Sequence, residues 1–174
     1  MKKVLVLIAL AALASCSSTK KGTTVTNWLG KNVTLISATP ENGTATAERK
    51  ASTTMSLQAT SELYPVMMFD ETKTVISYEY TRNSSNEPHA DDFYREELFM
   101  EIPSSAFKKT YKNEQLQDVK LIFGKHCYCK GEAGYYKISE GTLKVNHTEK
   151  NTHISLTFKA PVTSELKTVE FTVE

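Results

Sequence analysis

The sequence predicts an all-β domain, an antiparallel sandwich of about eight to ten short strands. Three observations predict it. Apolar and polar residues alternate with a period of two in one run after another, turn-forming clusters separate the runs, and only one stretch has helical spacing. A closed β-barrel shares this alternation and is the alternative architecture.

The strands follow in order. "NVTLIS" (Asn32–Ser37) opens the series. The "PENGT" stretch after it holds an Asn-Gly pair, which suits a tight hairpin turn. In "TTMSLQAT", Met55, Leu57 and Ala59 alternate with Thr54, Ser56 and Gln58. In "KTVISYEY", Ile76, Tyr78 and Tyr80 share one face; in "REELFMEI", Leu98, Met100 and Ile102 do so. "DVKLIF" aligns Val119, Leu121 and Phe123, and "TLKV", "HISLTF" and "LKTVEFTV" complete a meander. "TRNSSNEPHADD" (Thr81–Asp92) and "APVTSE" (Ala160–Glu165) read as polar connections. Ser104–Gln117 is the stretch compatible with a short helix, because Ser104 is a capping residue and Phe107, Tyr111 and Gln115 recur at i, i+4.

The start of the chain has a different character. Met1-Lys2-Lys3 is a short basic segment, followed by the apolar run Val4–Ala14 and then Leu13-Ala14-Ser15-Cys16. Eleven helical residues rise only about 16 Å, half a bilayer core, so the run is too short to span. "LASC" resembles the lipobox of bacterial lipoproteins at all four positions. The resemblance covers the first sixteen residues. It implies cleavage before Cys16, a diacylglyceryl group on the Cys16 thiol and acylation of the new amino group. Two or three acyl chains, at about 0.8 kcal/mol per buried methylene, make anchoring permanent. Ser17 at the second mature position implies sorting to the outer membrane, with the domain facing the periplasm. The organisation expected is a signal peptide over 1–15, a lipid-anchored tether over 16–26 and one β domain over 27–174.

Composition narrows the partners. The chain has 21 Lys and Arg against 20 Asp and Glu, and removal of the signal segment takes away Lys2 and Lys3. The mature chain therefore lacks the basic excess of a nucleic-acid surface, and its basic residues are too dispersed for a polybasic membrane patch. The sequons at Asn32, Asn42, Asn83 and Asn146 read as threonine-rich strand composition.

GxSxG, HExxH, Walker and GxGxxG signatures are absent from the sequence. "HADDFYREE" gathers His89, Asp91, Asp92, Glu96 and Glu97, but on a loop and strand its paired acids fall on opposite faces. In "PVMMF" (Pro65–Phe69) methionine serves as filler of a half-buried strand. "GKHCYCKGEAG" (Gly124–Gly134) concentrates His126, Cys127 and Cys129. In an oxidising compartment the two cysteines are candidates for a disulfide, yet residues i and i+2 of an extended strand lie about 6.5–7 Å apart, near the limit for a bridge. A disulfide requires a bend at Tyr128. An extended strand instead puts Cys127 and Cys129 on the core face as buried thiols, with His126 opposite them.

A copper or zinc site would draw on Cys127, Cys129, His126 and His147. A two-residue turn at Lys150-Asn151 sets His147 opposite Ile154 and His153 opposite Thr148, on different faces, so these two histidines are not expected to chelate together. The reading favoured by the sequence is a non-catalytic binding or assembly module, held to the membrane by lipid and meeting another envelope protein or a small hydrophobic ligand. A metal-binding or thiol-redox lipoprotein using Cys127 and Cys129 is the alternative.

Overall fold

Alternation folds here into two open antiparallel sheets packed face to face, an all-β sandwich. The computed structural model describes residues 22–27, 30–36, 40–59, 63–84 and 92–174. The strands in chain order are β1 (Thr23–Thr26), β2 (Asn32–Leu35), β3 (Gly43–Ala59), β4 (Leu63–Arg82), β5 (Tyr94–Pro103), β6 (Phe107–Lys112), β7 (Ile122–Cys127), β8 (Gly134–Lys137), β9 (Gly141–His147), β10 (Thr152–Phe158) and β11 (Thr168–Val173). One sheet runs β1-β2-β11-β10-β9-β6 and the other β3-β4-β5-β7-β8. The described residues form eleven strands against the about eight to ten expected, and β3 and β4, at 17 and 20 residues, are not short.

The core lies between the sheets. Ile76, Tyr78, Leu98, Met100, Ile102 and Phe123 of the five-stranded sheet meet Leu143, Val145, Ile154, Leu156, Val169 and Phe171 of the six-stranded one. Tyr78 packs on Phe171 at 5.2 Å between ring centroids, and Phe123 on Phe158 at 5.9 Å. Full burial stabilises each such side chain by about 1.5–3 kcal/mol, so the alternating pattern fixes which face turns inward.

Several local expectations change. Among the described residues sheet pairing starts at Thr23, so part of the expected tether is a strand, antiparallel to β2. The turn at Glu41-Asn42 does not close a hairpin, because β2 and β3 belong to different sheets. Gly43 is required there: a Cβ would lie 2.2 Å from the Tyr80 ring. The Ser104–Gln117 stretch divides into strand β6 and a 3₁₀ helix over Asn113–Val119. Phe107 and Tyr111, four apart, satisfy period two as well as 3.6, and pairing of β6 with β9 decides between them. The 3₁₀ helix ends at Lys120, whose φ of 48° turns the chain into β7. The β9–β10 turn is centred on Glu149-Lys150, where Thr148 and Asn151 bond across it. Val145 therefore pairs with Ile154 and His147 with Thr152, two residues from the expected register. An even shift keeps every face, which is why the apolar sides still match.

The β3–β4 hairpin outruns the sandwich and bends back. At the bend Ser52 takes φ 52° and the ladder breaks between Ala51 and Thr53. Beyond it, Met55, Leu57, Leu63 and Met67 pack with Val75, Phe99, Ile122 and Tyr135, forming a second apolar cluster apart from the main core. Glu101 fastens the arm, accepting from the Thr54 hydroxyl and the Met55 N–H at 2.8 Å and from Lys120 Nζ at 2.7 Å.

Candidate functional site

Strand parity sends alternate residues of β5 and β7 to opposite faces. Tyr94, Glu96 and Leu98 of β5, with Phe123, Lys125 and Cys127 of β7, turn toward the sandwich interior. Arg95, Glu97 and Phe99, with Ile122, Gly124 and His126, face outward. Two adjoining polar groups result, one on each side of the sheet.

The outward group centres on Glu97. Its carboxylate accepts from His126 Nε2 at 2.8 Å and from the Tyr135 hydroxyl at 2.9 Å, and Arg95 Nη2 lies 3.3 Å away. Burial raises the Glu97 pKa, but the bonds from His126 and Tyr135 and the Arg95 charge outweigh it, so the carboxyl lies below its ordinary range. Burial and then the neighbouring Glu97 charge push the Tyr135 hydroxyl far above its usual value, so it remains a donor. Tyr135 lies across Gly124, where a Cβ would meet its ring at 2.5 Å. The His126 and Tyr135 rings meet edge-on at 5.3 Å, and the Arg95 guanidinium sits 5.8 Å from the Phe93 ring centroid. The arm walls one side of this face through its contacts with Tyr135 and Phe99.

The inward group closes one end of the sandwich. Glu96 is fully buried and accepts from the Tyr94 hydroxyl, the Ser164 hydroxyl and the main-chain N–H groups of Glu165 and Leu166. Lys125 Nζ bonds Glu132 and, at 2.9 and 3.0 Å, the carbonyl and hydroxyl of Thr163. Tyr80 and Arg82 reach Glu165 at 2.7 and 3.1 Å. Together these bonds pin the β10–β11 connection over the end where β4 and β7 finish and β5 begins.

At that same end the chain bends at Tyr128. The Cα atoms of Cys127 and Cys129 lie 5.2 Å apart, and their sulfurs are joined in a disulfide. The residues named by sequence reasoning separate accordingly. His126 faces away from the cysteines and is engaged with Glu97. His147 lies at the opposite end, buried, donating from Nε2 to the Ser104 carbonyl at 3.2 Å and accepting the Thr152 hydroxyl at 2.7 Å. His153 stands on the outer face of the six-stranded sheet beside Thr172 and Glu170. Cys127, Cys129, His126 and His147 are thus not assembled around one point. Cys16, His89 and Asp91 lie outside the described residues.

Sequence reasoning missed Tyr135 and the buried role of Glu96. The signal for Glu96 was present, since the parity of Leu98, Met100 and Ile102, carried back one step, sends Glu96 inward. Tyr135 depended on how the strand after the disulfide returns, which alternation does not encode.

The arrangement is suited to recognition. It presents the Arg95 guanidinium and the rings of His126 and Tyr135, held by the buried Glu97 carboxylate, while Cys127, next in sequence to His126, points to the other face. No protein-family model matches the chain, and no curated protein or solved structure shows significant similarity to it.

Proposed function

We propose that the protein is a lipid-anchored, periplasm-facing binding or assembly module of the bacterial envelope, without catalysis of its own. The anchor is Cys16 and the partner is another envelope component. The observation that carries the reading is the outward Arg95–Glu97–His126–Tyr135 group. Three part-exposed donors fixed by one buried carboxylate on an outer sheet face give a preorganised polar surface at little conformational cost. In vivo cross-linking followed by gentle membrane solubilisation tests it. Partners captured by the parent and lost with Arg95→Ala/Tyr135→Ala support the reading; turnover of a substrate without any captured partner overturns it.

A second reading draws on the disulfide. Cys127 and Cys129 close a ring of two-residue separation at a bend, which favours thiol exchange with a partner protein. Trapping of a mixed disulfide by Cys129→Ser or Cys127→Ser protein supports it, and full activity in the double serine variant counts against it.

A further inference from the structure

The direction of β1 ties the proposed anchor to one end of the sandwich. Thr23 pairs with Leu35 and Leu35 with Phe171, so β1 starts at the end where β2 finishes and β11 begins. The connection entering β11 is the one pinned by Glu96 and Lys125. The N-terminal side of β1, the disulfide and the 159–167 connection therefore share one end.

Distance then restricts how the domain stands on a membrane. Cys16 precedes Gly22 by six residues, which reach at most about 21 Å when extended. Gly22 lies one residue beyond the level of Phe171, and passing from there to the level of Thr168, where the end begins, uses roughly 7 Å of this. That leaves about 14 Å between the end of the sandwich and the lipid plane.

This end carries exposed aromatic side chains. The last ladder pair of β5 and β7 is Tyr94–Cys127, and the next residues outward are Phe93 and Tyr128. Phe93 is 48% exposed and Tyr128 74%. The other exposed large apolar residues among those described, Tyr64, Met68 and Phe69, belong to the arm. An aromatic ring with a polar tip suits the headgroup level of a bilayer, and the disulfide bend fixes the backbone that presents Tyr128.

We infer that the disulfide end, through Phe93 and Tyr128, is the surface this protein lays against a phospholipid membrane, with Arg95 and His126 of the outer sheet face bordering it and the bend of the arm, with Phe69, at the far end. The inference rests on lipidation of Cys16.

The test uses the full mature protein in vesicles of phosphatidylethanolamine and phosphatidylglycerol, with Trp28, the chain's one tryptophan, replaced (Trp28→Phe). Tryptophan is then introduced as Tyr128→Trp or, for comparison, Phe69→Trp. Brominated lipids should cause loss of emission and a blue shift at position 128 and leave position 69 unquenched. Hydrogen exchange on the unsubstituted protein supplies a second measure, with slower exchange of residues 127–131 in vesicles than in a soluble Cys16→Ser form. Intact mass separates the two readings. A mature protein without lipid removes the anchor on which both rest. A lipidated protein with no quenching at position 128, or with stronger quenching at position 69, overturns the membrane-facing end alone.

Discussion

Glu96 shows how one side chain holds a loop. Both of its oxygens accept main-chain N–H groups, from Glu165 and Leu166, at full burial. In Glu96→Gln one oxygen becomes an NH2 donor set against another donor. The expected loss is about 1.5–3 kcal/mol, read as a lower denaturation midpoint at unchanged m-value. His147 gives a pH signature. Burial lowers its pKa, the Ser104 carbonyl bond opposes this, and Arg49 lowers it again, leaving a folded value below the ordinary one. The unfolded chain thus takes up the proton first. Stability attributable to His147 is complete above about pH 6.5 and falls as the pH drops from there toward the folded value. Urea melts at successive pH values should show this decline in the parent and lose it in His147→Gln. The disulfide contributes little globally, because a three-residue loop restricts the unfolded chain weakly. Cys127→Ser/Cys129→Ser should cost no more than about 1.6 kcal/mol in the same melts.

The arm is the element least expected from the sequence. Its strands were visible in the alternation of Met55, Leu57 and Ala59, but its reversal depends on Ser52 and on Asp70–Lys73, which the ladder leaves unmatched opposite it. Asp70 accepts the Thr72 N–H and hydroxyl at 2.9 and 2.7 Å, a local contact that interrupts the β3–β4 pairing within continuous β4 without proline or glycine. Since serine is strained at positive φ, Ser52→Gly should be neutral or stabilise by up to about 1 kcal/mol, and Ser52→Val should destabilise. Calorimetry distinguishes the two. Glu101→Ala should release the arm, with faster hydrogen exchange confined to residues 53–69 while the sandwich retains its protection.

Across the whole molecule, the two-layer architecture was legible because burial on one face imposes period two over every strand. Connections were legible less often. The 104–117 stretch satisfied two periods at once, and the β9–β10 turn allowed two registers differing by an even step. The Cys127–Cys129 question came down to the backbone at Tyr128, which no side-chain pattern specifies. The outward site was only half readable, since parity separates His126 from the cysteines but does not bring Tyr135 to Glu97.

One edge of the molecule is guarded by charge. Lys109 occupies an inward-parity position on edge strand β6, with its Nζ 4.4 Å from the Tyr111 ring centroid. Replacing it with valine should leave a flat apolar edge and produce concentration-dependent self-association in sedimentation velocity runs, with no change in monomer fold.

The strand order also sets a schedule. β2 and β10 both pair with β11, the last of the described strands, and among the described residues nothing else joins β1 and β2 to the rest of their sheet. A chain that emerges from its N-terminus therefore completes the β3–β4 hairpin early, by contacts near in sequence, and then waits. Its first two strands have no place in the sheet until residues 168–173 arrive, so the segment nearest the proposed anchor is the last to be locked.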